Sequence, residues 1–285
     1  MSEHGQNEGQ SKAQSKGHND SQHEGQHDGA NEGARQGPDA GLTDFGFTAV
    51  PPGEKTRRVR EVFESVAGRY DIMNDLMSFG VHRLWKRIAV SRMLLRPGHR
   101  VLDLAAGTGD LTRLELARVG PTGQVVMSDI NGPMLEVGRD RLIDAGAISG
   151  VEVVQANAEV LPFADNTFDA VSIAFGLRNV TDKSRALAAI GRVLKPGGRL
   201  VVLEFSQVVL PLMKRAYDAY SFNVIPKVGE LVTGDGDSYK YLVESIRKHP
   251  DQATLKAMME SAGLVDCRYE NLSAGVVAMH IGHGA

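Results

Sequence analysis

The stretch V-L-D-L-A-A-G-T-G-D, Val101 to Asp110, decides the fold. An apolar run, Arg100 to Leu104, has the length of a short strand and leads straight into a turn carrying Gly107 and Gly109. Small residues there let the backbone approach a ligand closely. A second apolar run, Gln124 to Asp129, ends in an acid 20 residues after Gly109. An acid at that place can accept both hydroxyls of a ribose. The two runs together predict an adenosine-bearing ligand above the first strand.

Outward from this stretch, strands and helices alternate. A helix is expected from about Pro133 to Ala145, a third strand over Val151 to Gln155 and a fourth over Phe168 to Ala174. Ser184 to Leu194 reads as a helix, stopped by Lys195-Pro196-Gly197-Gly198 ahead of a fifth strand, Arg199 to Phe205. Towards the C-terminus follow a helix near Asp251 to Ser261 and two strands, Val265 to Leu272 and Gly275 to Ile281, whose short link makes them an antiparallel hairpin. Before the first strand, Val59, Val62, Phe63 and Val66 recur at helical spacing. A second helix, Val81 to Leu95, should carry Leu84, Trp85, Ile88 and Ala89 as its apolar stripe. The predicted fold is α/β and Rossmann-like: a mostly parallel seven-stranded sheet with helices on both faces and a C-terminal antiparallel hairpin. Ligands bind outside the carboxyl ends of such strands. The apolar and aromatic stretch 207–232 interrupts the alternation and is read as an inserted helical lid.

The rival is a dinucleotide site, but its third glycine is Thr112 here, and Asp103 inside the strand is foreign to it. Asp103 beside the loop suits a ligand with a positive centre and an amino group, which S-adenosylmethionine has. Asp129 could instead cap the following helix. Asn157, just after the third strand, reads as a contact to an adenine edge or as a turn residue.

Composition bounds the rest. Residues 1–40 contain no apolar side chain beyond Met1 and four alanines, so 1–43 reads as a disordered tail, with 44–285 as one domain. The tail carries seven acids and three bases, a net −4 against −3 for the whole chain. The remainder is near neutral, which argues against a nucleic-acid partner. A lone cysteine, Cys267, excludes an internal disulfide and fits a reducing cytoplasm. No signal peptide and no membrane span is expected. The tail histidines read as solvated low complexity, and no metal site is expected.

Several runs resemble one family. They are Y-D-I-M-N-D-L-M-S-F-G-V-H-R-L-W-K from Tyr70, D-N-T-F-D from Asp165, F-G-L-R-N-V-T-D from Phe175, L-E-F-S from Leu203, K-R-A-Y-D-A-Y-S-F from Lys214 and A-G-V-V-A-M-H from Ala274. Together they resemble the ubiquinone/menaquinone biosynthesis C-methyltransferases over residues 44–285. The resemblance implies methyl transfer from S-adenosylmethionine to a ring carbon of a prenylated quinol. The substrate would be a demethylmenaquinol, a 2-methoxy-6-polyprenyl-1,4-benzoquinol, or both. It also implies a quinone-biosynthesis enzyme complex as a partner; a homodimer is allowed. Family cofactor positions fall on Thr108, Asp129, Asn157 and Ala158, joining Asp103, Gly107 and Gly109. Two positions depart from the pattern. Ala105 stands where the loop's first glycine is usual, and Ala174 where a serine can occur, so a contact at Ala174 must come from backbone.

A quinol carbon becomes nucleophilic when a ring hydroxyl loses its proton, which calls for a base or a cation that stabilises the phenolate. Arg178 and Asn179 are the first candidates, as phenolate stabiliser or acting through water. His82 and Tyr70 come second, Tyr217 and Asp218 on the lid third. Packing or ion-pairing roles compete for each. Arg83, Lys86, Arg87, Arg92, Arg96 and Arg100 make the second helix basic, so it could rest on anionic lipid at the inner face of the cytoplasmic membrane; a solvated face is the plainer reading. A methyltransferase of another small lipid or phenol and a non-catalytic scaffold are the alternatives.

Overall fold

The computed structural model describes residues 41–66, 75, 78, 80–209, 220, 221, 227, 230 and 236–285. The tail 1–40, Tyr70, Tyr217, Asp218 and most of the expected lid lie outside the described residues.

Seven strands form one sheet: β3 (Arg100–Leu104), β4 (Gln124–Asp129), β5 (Val151–Gln155), β6 (Phe168–Ala174), β7 (Leu194–Phe205), β8 (Val265–Leu272) and β9 (Val277–His283). Their order is β5-β4-β3-β6-β7-β9-β8, parallel from β5 to β7 and antiparallel where β9 meets β7 and β8. The strand order reverses between β3 and β6, so a crevice opens at their carboxyl ends, beside Leu104 and Ala174.

Helices cover both faces, as the fully buried strands require. On one face Val101, Val125, Val201 and Met279 pack under α1 (Pro52–Val66), α2 (His82–Arg92), α3 (Asp110–Val119) and α6 (Gly236–Lys248). On the other, Leu102, Val126, Val171 and Val202 pack under α5 (Lys183–Val193) and α7 (Gln252–Ser261). Helix α4 (Gly132–Asp144) flanks β4.

Four features differ from the sequence reading. A small hairpin, β1 (Thr43–Phe45) and β2 (Thr48–Val50), precedes α1. Helix α6 was not anticipated. Strand β7 starts at Leu194, which pairs with Phe168; the register then jumps to Ala170 and Arg199, so the segment 195–198 is taken up as a bulge within the strand. On α2 the buried stripe is His82, Trp85, Lys86, Ala89 and Val90, whereas Leu84 is 54% exposed. Of the six basic residues on or near α2, Arg83, Lys86, Arg92 and Arg100 each sit against an acid: Asp75, Asp110, Glu270 and Glu152. That pairing shrinks the free positive surface offered to lipid.

Candidate active site

A cleft enclosing about 820 Å³, partly open to solvent, occupies the crevice. Leu104, Ala105 and Gly107 line it from the β3 loop, Asp129 to Asn131 from the β4 end, and Ala156 to Glu159 from the turn after β5. Phe175, Gly176 and Asn179 to Thr181 line it from the turn after β6. Helix α1 closes it with Thr56, Val59, Arg60 and Phe63, and α4 contributes Met134.

The loop after β3 turns through left-handed backbone at Ala105 (φ 52°), Gly107 (φ 55°) and Gly109 (φ 80°). Gly107 and Gly109 take this conformation without steric cost. Ala105 takes it as a non-glycine residue, and the space its methyl needs is left by Gly176, where a Cβ would overlap that methyl. The two small residues therefore fit each other across the switch point.

Asp129 is held by the loop it faces. Its Oδ2 accepts the Gly107 N–H at 3.0 Å and its Oδ1 the Asn131 N–H at 2.9 Å. Burial raises its pKa, while the N–H groups of Asn131, Gly107 and Ile130 oppose the rise. Each carboxylate oxygen keeps acceptor capacity, and the residue lines the cavity. Asp129 is not the cap of α4. That role belongs to Asn131, whose side chain accepts the Met134 N–H at 3.1 Å. The donor set fits S-adenosylmethionine: an oriented carboxylate for a ribose diol, with small residues above β3 for close approach.

The other expected cofactor residues divide. Gly107, Asn157 and Ala158 line the cavity with Asp129. Asn157 also uses its Oδ1 to accept the Glu159 N–H at 3.0 Å, so the ligand and turn readings coexist. Asp103, Thr108, Gly109 and Ala174 are not among the lining residues. Asp103 points into the protein, accepting the Thr112 hydroxyl at 2.6 Å and the Ser172 hydroxyl at 3.3 Å. Ser172 in turn donates to Glu115 at 2.6 Å. Burial lifts Asp103 to about 7 and Glu115 well above the usual carboxylate range. Asp103 thus belongs to a buried acid network beneath the loop, and Thr112 supplies it with a hydroxyl where a dinucleotide loop would have glycine.

Of the catalytic candidates among the described residues, Arg178, Asn179 and His82, only Asn179 lines this cavity. The Asn179 Oδ1 accepts the Tyr241 hydroxyl at 3.1 Å. Tyr241 itself stacks on Phe45 at 4.2 Å, ordered by the hairpin and helix that sequence reading missed. Arg178 is turned away from the cavity. Its side chain is 0% exposed; Nη1 contacts Glu204 at 2.7 Å and the Phe175 carbonyl at 2.6 Å, and its backbone N–H donates to Glu204 at 3.1 Å. His82 is the buried first residue of α2, with Nδ1 3.0 Å from the Ser78 hydroxyl and 3.5 Å from Asp75. Burial, then Lys86 and Arg83, lower its pKa, so it is neutral at pH 7. The cavity residues sequence reading missed, Thr56, Val59, Arg60 and Phe63, lie about 45 residues before the loop; only their helical spacing was visible.

Known proteins match this arrangement. The ubiE/COQ5 methyltransferase family model matches residues 52–284. A ubiquinone/menaquinone biosynthesis C-methyltransferase of Teredinibacter turnerae is 59% identical over 244 residues, 86% of this chain and 98% of that one. The protein of the same name from Francisella philomiragia is 57% identical over 241 residues, covering 85% and 96%. Among solved structures, a SAM-dependent methyltransferase of Thermotoga maritima superposes with a TM-score of 0.57 at 21% identity, over 80% of this chain and all of that one. One from Aquifex aeolicus does so with a TM-score of 0.54 at 16% identity, over 83% and 100%. Those likenesses establish the fold. The chain is an S-adenosylmethionine-dependent methyltransferase, and it belongs to the ubiE/COQ5 methyltransferase family.

Proposed function

We propose that the chain methylates a ring carbon of a prenylated quinol, a demethylmenaquinol, a 2-methoxy-6-polyprenyl-1,4-benzoquinol or both. The observation that carries this reading is identity near 59% along almost the full length of relatives bearing that name, combined with a cavity whose donor set suits the cofactor. Bound S-adenosylmethionine supplies an electrophilic methyl group, which replaces a ring hydrogen lost as a proton. Asp129 accepts the ribose hydroxyls, and Asn157 with Ala158 borders the base. Asn179, its carbonyl engaged by Tyr241, donates its amide hydrogens to a ring oxygen and stabilises the phenolate as charge grows there. Arg178 and Glu204 act through the turn, fixing where Asn179 stands. Phe175, Val59, Phe63 and Met134 keep water from the reacting centre.

Among the described residues no helix is long and apolar enough to cross a membrane. A polyprenyl substrate is membrane-soluble, so we place the chain at the membrane surface during turnover. Leu84 and Leu94, 54% and 60% exposed, lie beside Arg87 and would face lipid.

The test is complementation of quinone-deficient bacteria, with extracted quinones identified by mass. Recovery of methylated naphthoquinone, benzoquinone or both names the substrate. No recovery despite soluble, cofactor-binding protein removes the quinol reading.

A further inference from the structure

The turn that places Asn179 in the large cavity places Arg178 in a second one. This cavity measures about 310 Å³. Four cations line it, Lys55 of α1, Arg178, Lys183 of α5 and Lys248 of α6, against one acid, Asp44 of β1. Asp44 is taken by Lys248 at 3.3 Å. Glu204 takes one arm of Arg178. Lys55 and Lys183 both reach for one neutral acceptor, the Val180 carbonyl, each at 3.2 Å.

Donors here outnumber acceptors. An ammonium has three N–H bonds and a guanidinium five. The Nε and Nη2 of Arg178 are buried without any hydrogen-bond partner, although its side chain is 0% exposed. Buried polar groups are rarely left so, and unpaired buried charge is costly. Two of the four cations are ion-paired, Lys248 with Asp44 and Arg178 with Glu204, whereas Lys55 and Lys183 contact no carboxylate among the described residues and feel Asp44 and Glu159 only at longer range. An oxyanion with several acceptor oxygens and two negative charges satisfies both counts, and charge-assisted bonds to such oxygens are the strong ones.

We propose that this second cavity binds a phosphate dianion, free or as a phosphate monoester, held by Lys55, Lys183 and Arg178. The inference is independent of any part Arg178 plays in methyl transfer. Occupancy has a proton signature. Burial first, then Lys183, bring the Lys55 pKa down to about 8, while Asp44 and Glu159 oppose the fall. A dianion beside Lys55 raises that pKa again, so binding near pH 8 takes up protons.

Calorimetry with inorganic phosphate on the full chain, near pH 8 in two buffers of different ionisation enthalpy, tests this. The expected result is one saturable site with net proton uptake. Lys183→Met should weaken binding at least about tenfold, with Lys183→Arg restoring it. Lys248→Met supplies a second variant on an exposed side chain and should weaken binding less. Displacement of phosphate by methyl phosphate identifies a monoester as an admissible ligand; failure to displace restricts the site to the free ion. The proposal falls if no saturable binding occurs below about 10 mM, if binding proceeds without proton uptake, or if folded Lys183→Met binds phosphate as the parent does.

Discussion

Replacing Asp129 with asparagine tests the cofactor site most sharply, because the carboxylate has two sets of partners. On the protein side it accepts the Gly107 and Asn131 N–H groups at 3.0 and 2.9 Å. On the cavity side it has acceptor capacity for the two ribose hydroxyls. A hydrogen bond to a charged group contributes about 1.5–3 kcal/mol, and leaving a buried N–H unsatisfied costs about 1–3 kcal/mol. The amide of Asp129→Asn has one acceptor oxygen. It loses one ribose bond, and it turns an NH₂ on either Gly107 or Asn131. The misplaced NH₂ burdens free and bound protein alike and lowers stability, so affinity loses the ribose bond, about 1.5–3 kcal/mol, roughly ten- to a hundredfold. Calorimetric titration with S-adenosylmethionine and with S-adenosylhomocysteine should show equal losses, since both ligands carry the ribose. Because burial raises the Asp129 pKa, binding by the parent should weaken on acidification at a higher pH than an exposed aspartate would impose. Affinity of the variant within about threefold of the parent, or a loss confined to the sulfonium ligand, would refute the assignment.

Other substitutions probe the surrounding framework. Gly176→Ala puts a methyl against Ala105 and should lower stability and cofactor affinity; adding Ala105→Gly should recover both, and failure of that rescue would mean the clash is not the cause. Glu204→Gln strands the buried Arg178 charge, a change that costs about 3–5 kcal/mol; a thermal midpoint lowered by on the order of 10 °C is expected, and an unchanged midpoint would show that the pair is not buried in solution. Tyr241→Phe frees the Asn179 amide to rotate, so kcat should fall about tenfold with KM nearly unchanged; equal effects on both would point to lost packing instead. Asp103 and Glu115 have folded pKa values above their unfolded ones. Their contribution to stability is complete below the ordinary carboxylate range and is lost as pH rises from about 4 to about 7. The melting temperature should therefore drop across that window, and Glu115→Gln should flatten the drop; a slope that persists would place the titration elsewhere.

How far the sequence could be read depended on what each segment buries. Strands β3, β4 and β6 were legible because short, mostly apolar runs between turn residues have few alternatives in a two-faced sheet, and β5, only partly buried at the sheet edge, was legible by its β-branched residues. In β3 the same burial hid the orientation of Asp103. In a strand buried on both sides there is no alternation from which to tell the loop side from the core side, so an acid next to a glycine loop was read as facing the ligand. Helix α6 did carry its signal: Tyr239, Leu242, Val243 and Ile246, all buried, recur at helical spacing. It went unread behind the aromatic stretch taken as a lid. Arg178 shows a different limit. Its neighbour in sequence, Asn179, reaches the cavity, but in a single turn of 3-10 helix successive side chains diverge, and only the position of Glu204 on β7 settles which one turns inward.

That turn explains why its sequence is so particular. Phe175 adopts left-handed backbone (φ 57°) although it is neither glycine nor asparagine. Such a conformation costs about 1–3 kcal/mol and persists only when its surroundings over-determine it. Here they do. The Phe175 ring is buried 4.9 Å from Phe205 and 6.4 Å from Trp85, and its carbonyl is bonded by Arg178. Gly176 admits the Ala105 methyl, Glu204 grips Arg178 at both backbone and side chain, Tyr241 sets the Asn179 amide, and two lysines hold the Val180 carbonyl. Each residue from Phe175 to Val180 other than Leu177, which simply fills the core, has its own partners, and together these come from α1, α2, α5, α6, β7 and the loop after β3. The strain is therefore retained in the turn that lines the cavity, and the Asn179 amide proposed as the phenolate donor would need no reorganisation when charge appears.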